Sequence, residues 1–244
     1  MNNSVKSSAC LLTLSFAIMF ASGCSKQEQT AENNTSAADV IVQAKQAAQA
    51  ASLPKADIAT PLNQYKEWQS NLDVMFSYLG LSGLPVDYDL AMGEYSADYR
   101  GARDEFKKND ILKALKPKLD QEIAMAKSQR YVKMVFDNFG IDKYDFQAKA
   151  FPQSGLTSDT NFGWGSDGGR SYRAVFTNAD QYKLFRVADE ATARSIEEKR
   201  SKYQAMNLVI YGFAQDVDAN NRYVKIQITK ISLQDKKGAE LLSQ

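Results

Sequence analysis

The sequence predicts an α+β domain: an N-terminal helical layer packed on a C-terminal antiparallel sheet with one inserted helix. Three observations carry this. From Pro61 to Lys127 apolar residues recur every three or four positions, the period of a helix that buries one face. From Arg130 they recur every second position, the period of a strand. Between Asp189 and Tyr203 a helical stripe returns, inside the region of strands.

Residues 1–23 precede that domain as a leader. Met1 to Ser8 carries one positive charge, Lys6, and no acid. The apolar run Ala9 to Phe20 falls short of the roughly 18 residues needed to span a bilayer and ends in small residues, as an export signal does. Residues 24–59 follow as a connector. Ser25 to Ala37 is polar and without periodicity, the composition of a flexible tether. Ala38 to Ser52 is Ala-rich, with Ile41, Ala44, Ala48 and Ala51 at helical spacing, and reads as a marginal helix that stops before Pro54.

The globular domain is expected over residues 60–242. Thr60-Pro61 should start a helix whose face carries Leu62, Tyr65, Leu72, Met75, Phe76 and Leu79, capped by Gly80. After Leu84-Pro85, Asp87 should cap a second helix along Tyr88, Ala91, Tyr95, Tyr99, Ala102 and Phe106. Asn109 or Asp110 should cap a third, with Pro117 either kinking it or opening a further segment. Alternation then places strands at Val132 to Phe136, Phe146 to Ala150, Tyr172 to Phe176 and Leu184 to Val187. Asp189 should cap the inserted helix, laced by Glu190 with Arg194 and Glu198 with Lys202. Leu208 to Tyr211 and Val224 to Leu233 should pair across a turn from Asp216 to Asn221. Val224, Ile226 and Ile228 are out of phase with Ile231 and Leu233, so a bulge is expected near Thr229-Lys230.

Two resemblances add to this reading. Ala21-Ser22-Gly23-Cys24 resembles the lipobox of bacterial lipoproteins, with Ala21 where that family more often has Leu. The resemblance implies cleavage between Gly23 and Cys24 and lipidation of Cys24. With Ser25 rather than Asp after the Cys, it further implies an outer-membrane anchor facing the periplasm; the inner membrane and the cell surface are the alternatives. Asp104-Glu105-Phe106, Tyr144-Asp145-Phe146 opening a strand, and Ile226 to Leu233 followed by Asp235 and Gly238 look like a family of bacterial envelope proteins catalogued as a domain of unknown function, over Leu84 to Leu242. That family supplies no activity to carry over.

Composition removes several chemistries. Without the leader the chain has equal numbers of basic and acidic side chains, 29 each, and no basic stripe for nucleic acid. The two cysteines are Cys10, in the leader, and Cys24, and there is no histidine. The domain is therefore expected to use no disulfide, thiolate, imidazole or zinc site, and no cofactor is implied.

Four patterns could carry function. Gly163-Trp164-Gly165-Ser166-Asp167-Gly168 spells G-x-G-x-x-G, but it precedes a strand instead of opening a helix, so it reads as a hairpin loop. Trp164, Asp167 and Arg170 are its candidate ligand contacts, and Trp164 is expected to fold onto the sheet. Asp216, Asp218 and Asn220 have EF-hand spacing but lack its Gly and Glu, leaving a polar turn. The stripe Tyr88, Tyr95 and Tyr99 reads as a packed helix boundary. Asp104 and Glu105 are adjacent on a helix, and their carboxylates diverge. No catalytic residue is assigned. The leading expectation is a non-catalytic, membrane-anchored envelope lipoprotein whose periplasm-facing domain binds another envelope protein or the cell wall. The alternatives are a ligand- or glycan-binding lipoprotein using the Trp164 loop, and a hydrolase using carboxylates alone.

Overall fold

A computed structural model describes residues 52–164 and 171–244, which fall within one compact unit ending at Gln244. The expected leader, the expected Gly23-Cys24 cleavage site, the expected tether, the Ala-rich segment up to residue 51, and Asp167 and Arg170 lie outside the described residues.

The fold is α+β, with helices packed on a seven-stranded sheet. The helices are α1 (Asn71–Leu81), α2 (Tyr88–Tyr95), α3 (Ala97–Gly101), α4 (Glu105–Ser128) and α5 (Glu190–Ser201). The strands of the main sheet are β1 (Lys66–Glu67), β2 (Tyr131–Phe136), β4 (Asn161–Phe162), β5 (Arg173–Phe176), β7 (Met206–Asp218), β8 (Tyr223–Asp235) and β9 (Glu240–Ser243). Their order is β1-β2-β7-β8-β5-β4, with β9 also on β8. Two of these pairings, β1 with β2 and β5 with β8, are parallel; the rest are antiparallel. A separate ribbon pairs β3 (Ala150–Pro152) with β6 (Leu184–Arg186).

The β7–β8 hairpin is the spine. Tyr211 pairs with Lys230 and Gly212 with Ile228, so Thr229 bulges out and Ile231 and Leu233 return to the core face beside Ile226 and Ile228. A second bulge, at Gln215 between the Ala214–Ile226 and Asp216–Lys225 pairs, was not signalled by the hydrophobic pattern. Arg130 donates to the carbonyls of Ala214 and Gln215, and Thr177 donates to the Gln215 side chain at 2.7 Å.

Helix α1 lies against β5, β7 and β8, with Val74 and Met75 fully buried, and α4 packs on its far side. The other sheet face carries Tyr131 and Tyr211, and residues 54–65 run across it. Tyr65 meets the two tyrosine rings at 5.2 and 5.3 Å and its hydroxyl lies 3.0 Å from that of Thr229. Gln215 donates to the Pro54 carbonyl at 2.7 Å, and the Ala56 amide donates to Gln227 at 3.0 Å. At the other terminus Gln244 exchanges both backbone bonds with Ile231. The folded contacts therefore reach beyond residues 60–242 on both sides.

Several expectations are corrected. Thr60-Pro61 opens only a 3-10 turn, Leu62–Gln64; α1 starts after Ser70, where the Asp73 carboxylate accepts the Ser70 and Gln69 amides. Gly80 does not cap α1 but sits inside it against α4, and the left-handed glycine after the helix is Gly83 (φ +65°). The second helix breaks at Ser96, whose side chain caps α3, and Phe106 is exposed. Asp104, not Asn109 or Asp110, caps α4, which runs unbroken through Pro117. Tyr144-Asp145-Phe146 leads into a turn at 146–149 and opens no strand: Asp145 bridges Ala150 and accepts the amides of Gln147 and Ala148, and Lys149 is left-handed (φ +49°). The turn expected from Asp216 begins later, because β7 extends to Asp218.

Candidate functional site

The G-x-G-x-x-G segment joins β4 to β5, which pair antiparallel through Asn161–Val175 and Phe162–Ala174. The described residues on either side of it belong to strands, whereas a dinucleotide requires the motif to lead from a strand into a helix. Trp164 is half-buried, edge-on to Trp68 at 6.1 Å and stacked on Phe136 at 6.2 Å. Asn71, the first residue of α1 and buried, holds its backbone at both ends: the Trp164 amide donates to Asn71 Oδ1 at 2.7 Å, and Asn71 Nδ2 donates to the Trp164 carbonyl at 2.6 Å. A Cβ on Gly163 would lie 2.0 Å from Arg173 Nη1, the end of a side chain that can swing aside, and 2.9 Å from Asn71 Oδ1, which the two bonds to Trp164 hold in place, so a larger residue here presses on the clamp. Sequence reasoning missed Trp68 and Asn71; the Ser70-x-x-Asp73 spacing was the signal that places Asn71 at a helix start.

The tyrosine stripe is absorbed by packing. Tyr99 is buried with its hydroxyl 2.5 Å from Asp89, which pushes the phenol up to about 12. Tyr88 donates to Asp120 at 2.7 Å and lies under Lys116, while Tyr95 packs edge-on to Phe76 at 5.8 Å. Asp104 caps α4, with Glu105 in its first turn. Asp218 accepts the amides of Asn220 and Asn221 in the β7–β8 turn, and those bonds, led by the Asn221 side chain, hold its carboxyl below the usual range.

The candidate site lies elsewhere, along α5 at the Met206 end of β7. A cavity of about 450 Å³ runs between α5 and residues 143–146, lined by Tyr144, Phe146, Ala193 and the charged residues of the helix face. It shares Tyr144 and Phe146 with a wider hollow that reaches Arg200, and Arg200 and Tyr203 line a third beside Phe139 and Met206. Two large aromatic side chains stand out from this band: Phe146 is 82% exposed and Tyr203 96%. Phe146 leans on Tyr144 (5.0 Å), which is pinned by Phe151 (5.1 Å) and by its amide bond to Glu197 (3.2 Å).

Glu190 and Glu197 sit two turns apart on α5, about 10 Å along its axis. Each is held by an arginine: Glu190 by Arg194, and Glu197 by Nε and Nη2 of Arg200 at 2.9 and 2.6 Å. The hydrogen bonds from Arg200 keep the Glu197 carboxyl below its ordinary range. A carboxylate held ionised in this way accepts hydrogen bonds from a bound group and is poorly suited to donate a proton, which a glycosidase acid must do. The band thus sets exposed rings beside paired charges.

Among the described residues no group of three or more His, Cys, Asp and Glu side chains is placed to hold a metal, and no helix is long and apolar enough to cross a membrane. Comparison with protein-family models, curated proteins and solved structures finds no match for this chain.

Proposed function

We propose that this chain is a lipoprotein anchored through Cys24 to the outer membrane, whose periplasm-facing domain acts by binding another envelope component and not by catalysis. The lipobox-like Ala21-Ser22-Gly23-Cys24 supports the anchor. One structural observation carries the binding role, the band of exposed Phe146 and Tyr203 along α5. The Trp164 loop is the second candidate surface. It ranks lower because the indole already has two ring neighbours, Trp68 and Phe136.

The test has two arms. Cys24→Ala should abolish labelling by a clickable fatty acid and leave the precursor uncut; undiminished labelling rules out the anchor. A photo-crosslinking residue at Tyr203 or Phe146 should form adducts in intact envelopes, and one at Phe106, exposed on the helical layer, should not. Crosslinking from Phe106 alone would defeat this choice of surface.

A further inference from the structure

The C-terminal end of α5 closes with Tyr203 in an unusual place. The Tyr203 amide donates to Arg200 O at 3.0 Å and the Gln204 amide to Lys199 O at 2.9 Å, the paired bonds of a Schellman cap. In that cap the residue at Tyr203 is left-handed (φ +53°), a position glycine occupies without strain. A tyrosine there is strained, and at 96% exposure it recovers nothing by burial. Its ring instead stands at the edge of a hollow of about 290 Å³ shared with Lys199, Lys236 and Lys237. Lys199 belongs to α5, whereas Lys236 and Lys237 come from the β8–β9 turn, so two unrelated elements bring cations to the hollow that Tyr203 also lines.

None of these three lysines forms an ion pair among the described residues. The one acid lining the hollow, Asp235, accepts the amides of Ala239 (3.0 Å) and Lys237 (2.8 Å), and these bonds, with the nearby charges of Lys199 and Lys237, hold its carboxyl below the usual range, so three lysines face a single carboxylate. The hollow therefore has positive charge to spare. Its neighbour across Tyr203 leads by way of Arg200 to the apolar cavity of Tyr144 and Phe146.

We infer that this band docks an acidic polypeptide segment, its carboxylates on Lys199, Lys236 and Lys237, its backbone or an aromatic side chain against Tyr203, and an apolar side chain in the Phe146 cavity. The inference rests on the domain being an interaction module. The chemistry of the band favours a polypeptide over anionic lipid: the lysine hollow is joined through Tyr203 and Arg200 to the cavity of Tyr144, Phe146 and Ala193, so charged and apolar contacts follow one another along a line, as the side chains of an extended segment do.

The test uses the mature lipidated chain in detergent micelles and a fluorescein-labelled peptide of six glutamates flanking one phenylalanine, with a lysine version as control. Anisotropy should report binding of the glutamate peptide only, weakening as salt is raised. The combined Lys199→Glu, Lys236→Glu, Lys237→Glu variant should bind about tenfold more weakly, as should Tyr203→Gly. Tyr203→Gly removes the backbone strain, so its melting temperature should not fall and its lost affinity cannot be blamed on unfolding. Equal binding of both peptides, or binding unchanged in either variant, overturns the inference. Recruitment of Cys24→Ala protein to phosphatidylglycerol vesicles without peptide binding also overturns it, in favour of a lipid site. If a probe at Tyr203 crosslinks an envelope protein while the acidic peptide fails to bind, the acidic chemistry is wrong and the interaction reading stands.

Discussion

Gly80 sets how closely α1 approaches α4, and replacing it with alanine opposes two calculable effects. In an open helix the change stabilises by about 1 kcal/mol, because alanine loses less backbone entropy. Here the new Cβ would lie 2.9 Å from Ile123 O, 3.0 Å from Lys127 N and 3.1 Å from Lys127 Cα, all main-chain atoms of α4. No side chain can rotate to relieve this. Helix α1 cannot retreat, because Val74 and Met75 on its other side are fully buried in the core it shares with the sheet. Forcing a methyl into such a contact costs about 1–3 kcal/mol, and with main-chain atoms on every side the upper part of that range applies, about 2–3 kcal/mol, so the net expectation is a loss of about 1–2 kcal/mol after the helical gain. For a domain of this size each kcal/mol moves the melting temperature by about 2–4 °C. Gly93 is the control, since it is also helical but its Cβ would meet nothing within 4 Å. Circular-dichroism melts should therefore show Gly80→Ala falling by about 2–8 °C and Gly93→Ala rising by a few degrees. Two variants that shift together in the same direction would show that the α1–α4 contact does not limit packing.

Tyr99 bears on alkaline stability. Its phenol is raised from 10.0 to about 12 by the bond to Asp89, so its contribution is complete below pH 10 and is lost as pH rises through 12. Urea midpoints of Tyr99→Phe should decline less between pH 10 and 12 than those of the parent; parallel curves would contradict the assignment. Asn71→Leu leaves both the Trp164 amide and carbonyl without their partner and should destabilise by about 2–4 kcal/mol in urea. An unchanged midpoint would mean that the clamp is dispensable. With Trp68→Phe leaving one indole, Trp164 should emit with partial protection from iodide, and adding Asn71→Leu should shift the emission to the red. A fully quenchable indole before that second change would refute its packing on Phe136.

Elements whose signals are local were legible in the sequence. Helix α5 followed from Asp189 as cap and from the Glu190–Arg194 and Glu198–Lys202 spacings, and all three contacts form. The bulge at Thr229 followed from a one-residue slip in an otherwise strict alternation, since only an extra residue keeps both halves of β8 facing one core. The errors arose where a pattern had two sources. Leu62 and Tyr65 sit at helical spacing from Leu72, but Tyr65 is spent on the outer sheet face with Tyr131 and Tyr211. Phe146, Ala148 and Ala150 alternate like a strand, yet the Asp145 side chain captures the local amides and turns the chain, which is what leaves Phe146 exposed.

By itself the sequence determined the α+β class, the β7–β8 hairpin with its bulge at Thr229, the inserted helix and the absence of thiol and imidazole from the domain, because each follows from composition or from contacts a few residues apart. Only the tertiary structure decided which surfaces meet. Asn71 reaches Trp164 across 93 positions, and Gln215 reaches Pro54 across 161. Lys199, Lys236, Lys237 and Tyr203 line one hollow because α5 and the β8–β9 turn meet there. Periodicity reports which face of an element is buried; it carries no information about which distant element buries it, and the candidate site is built from such pairings.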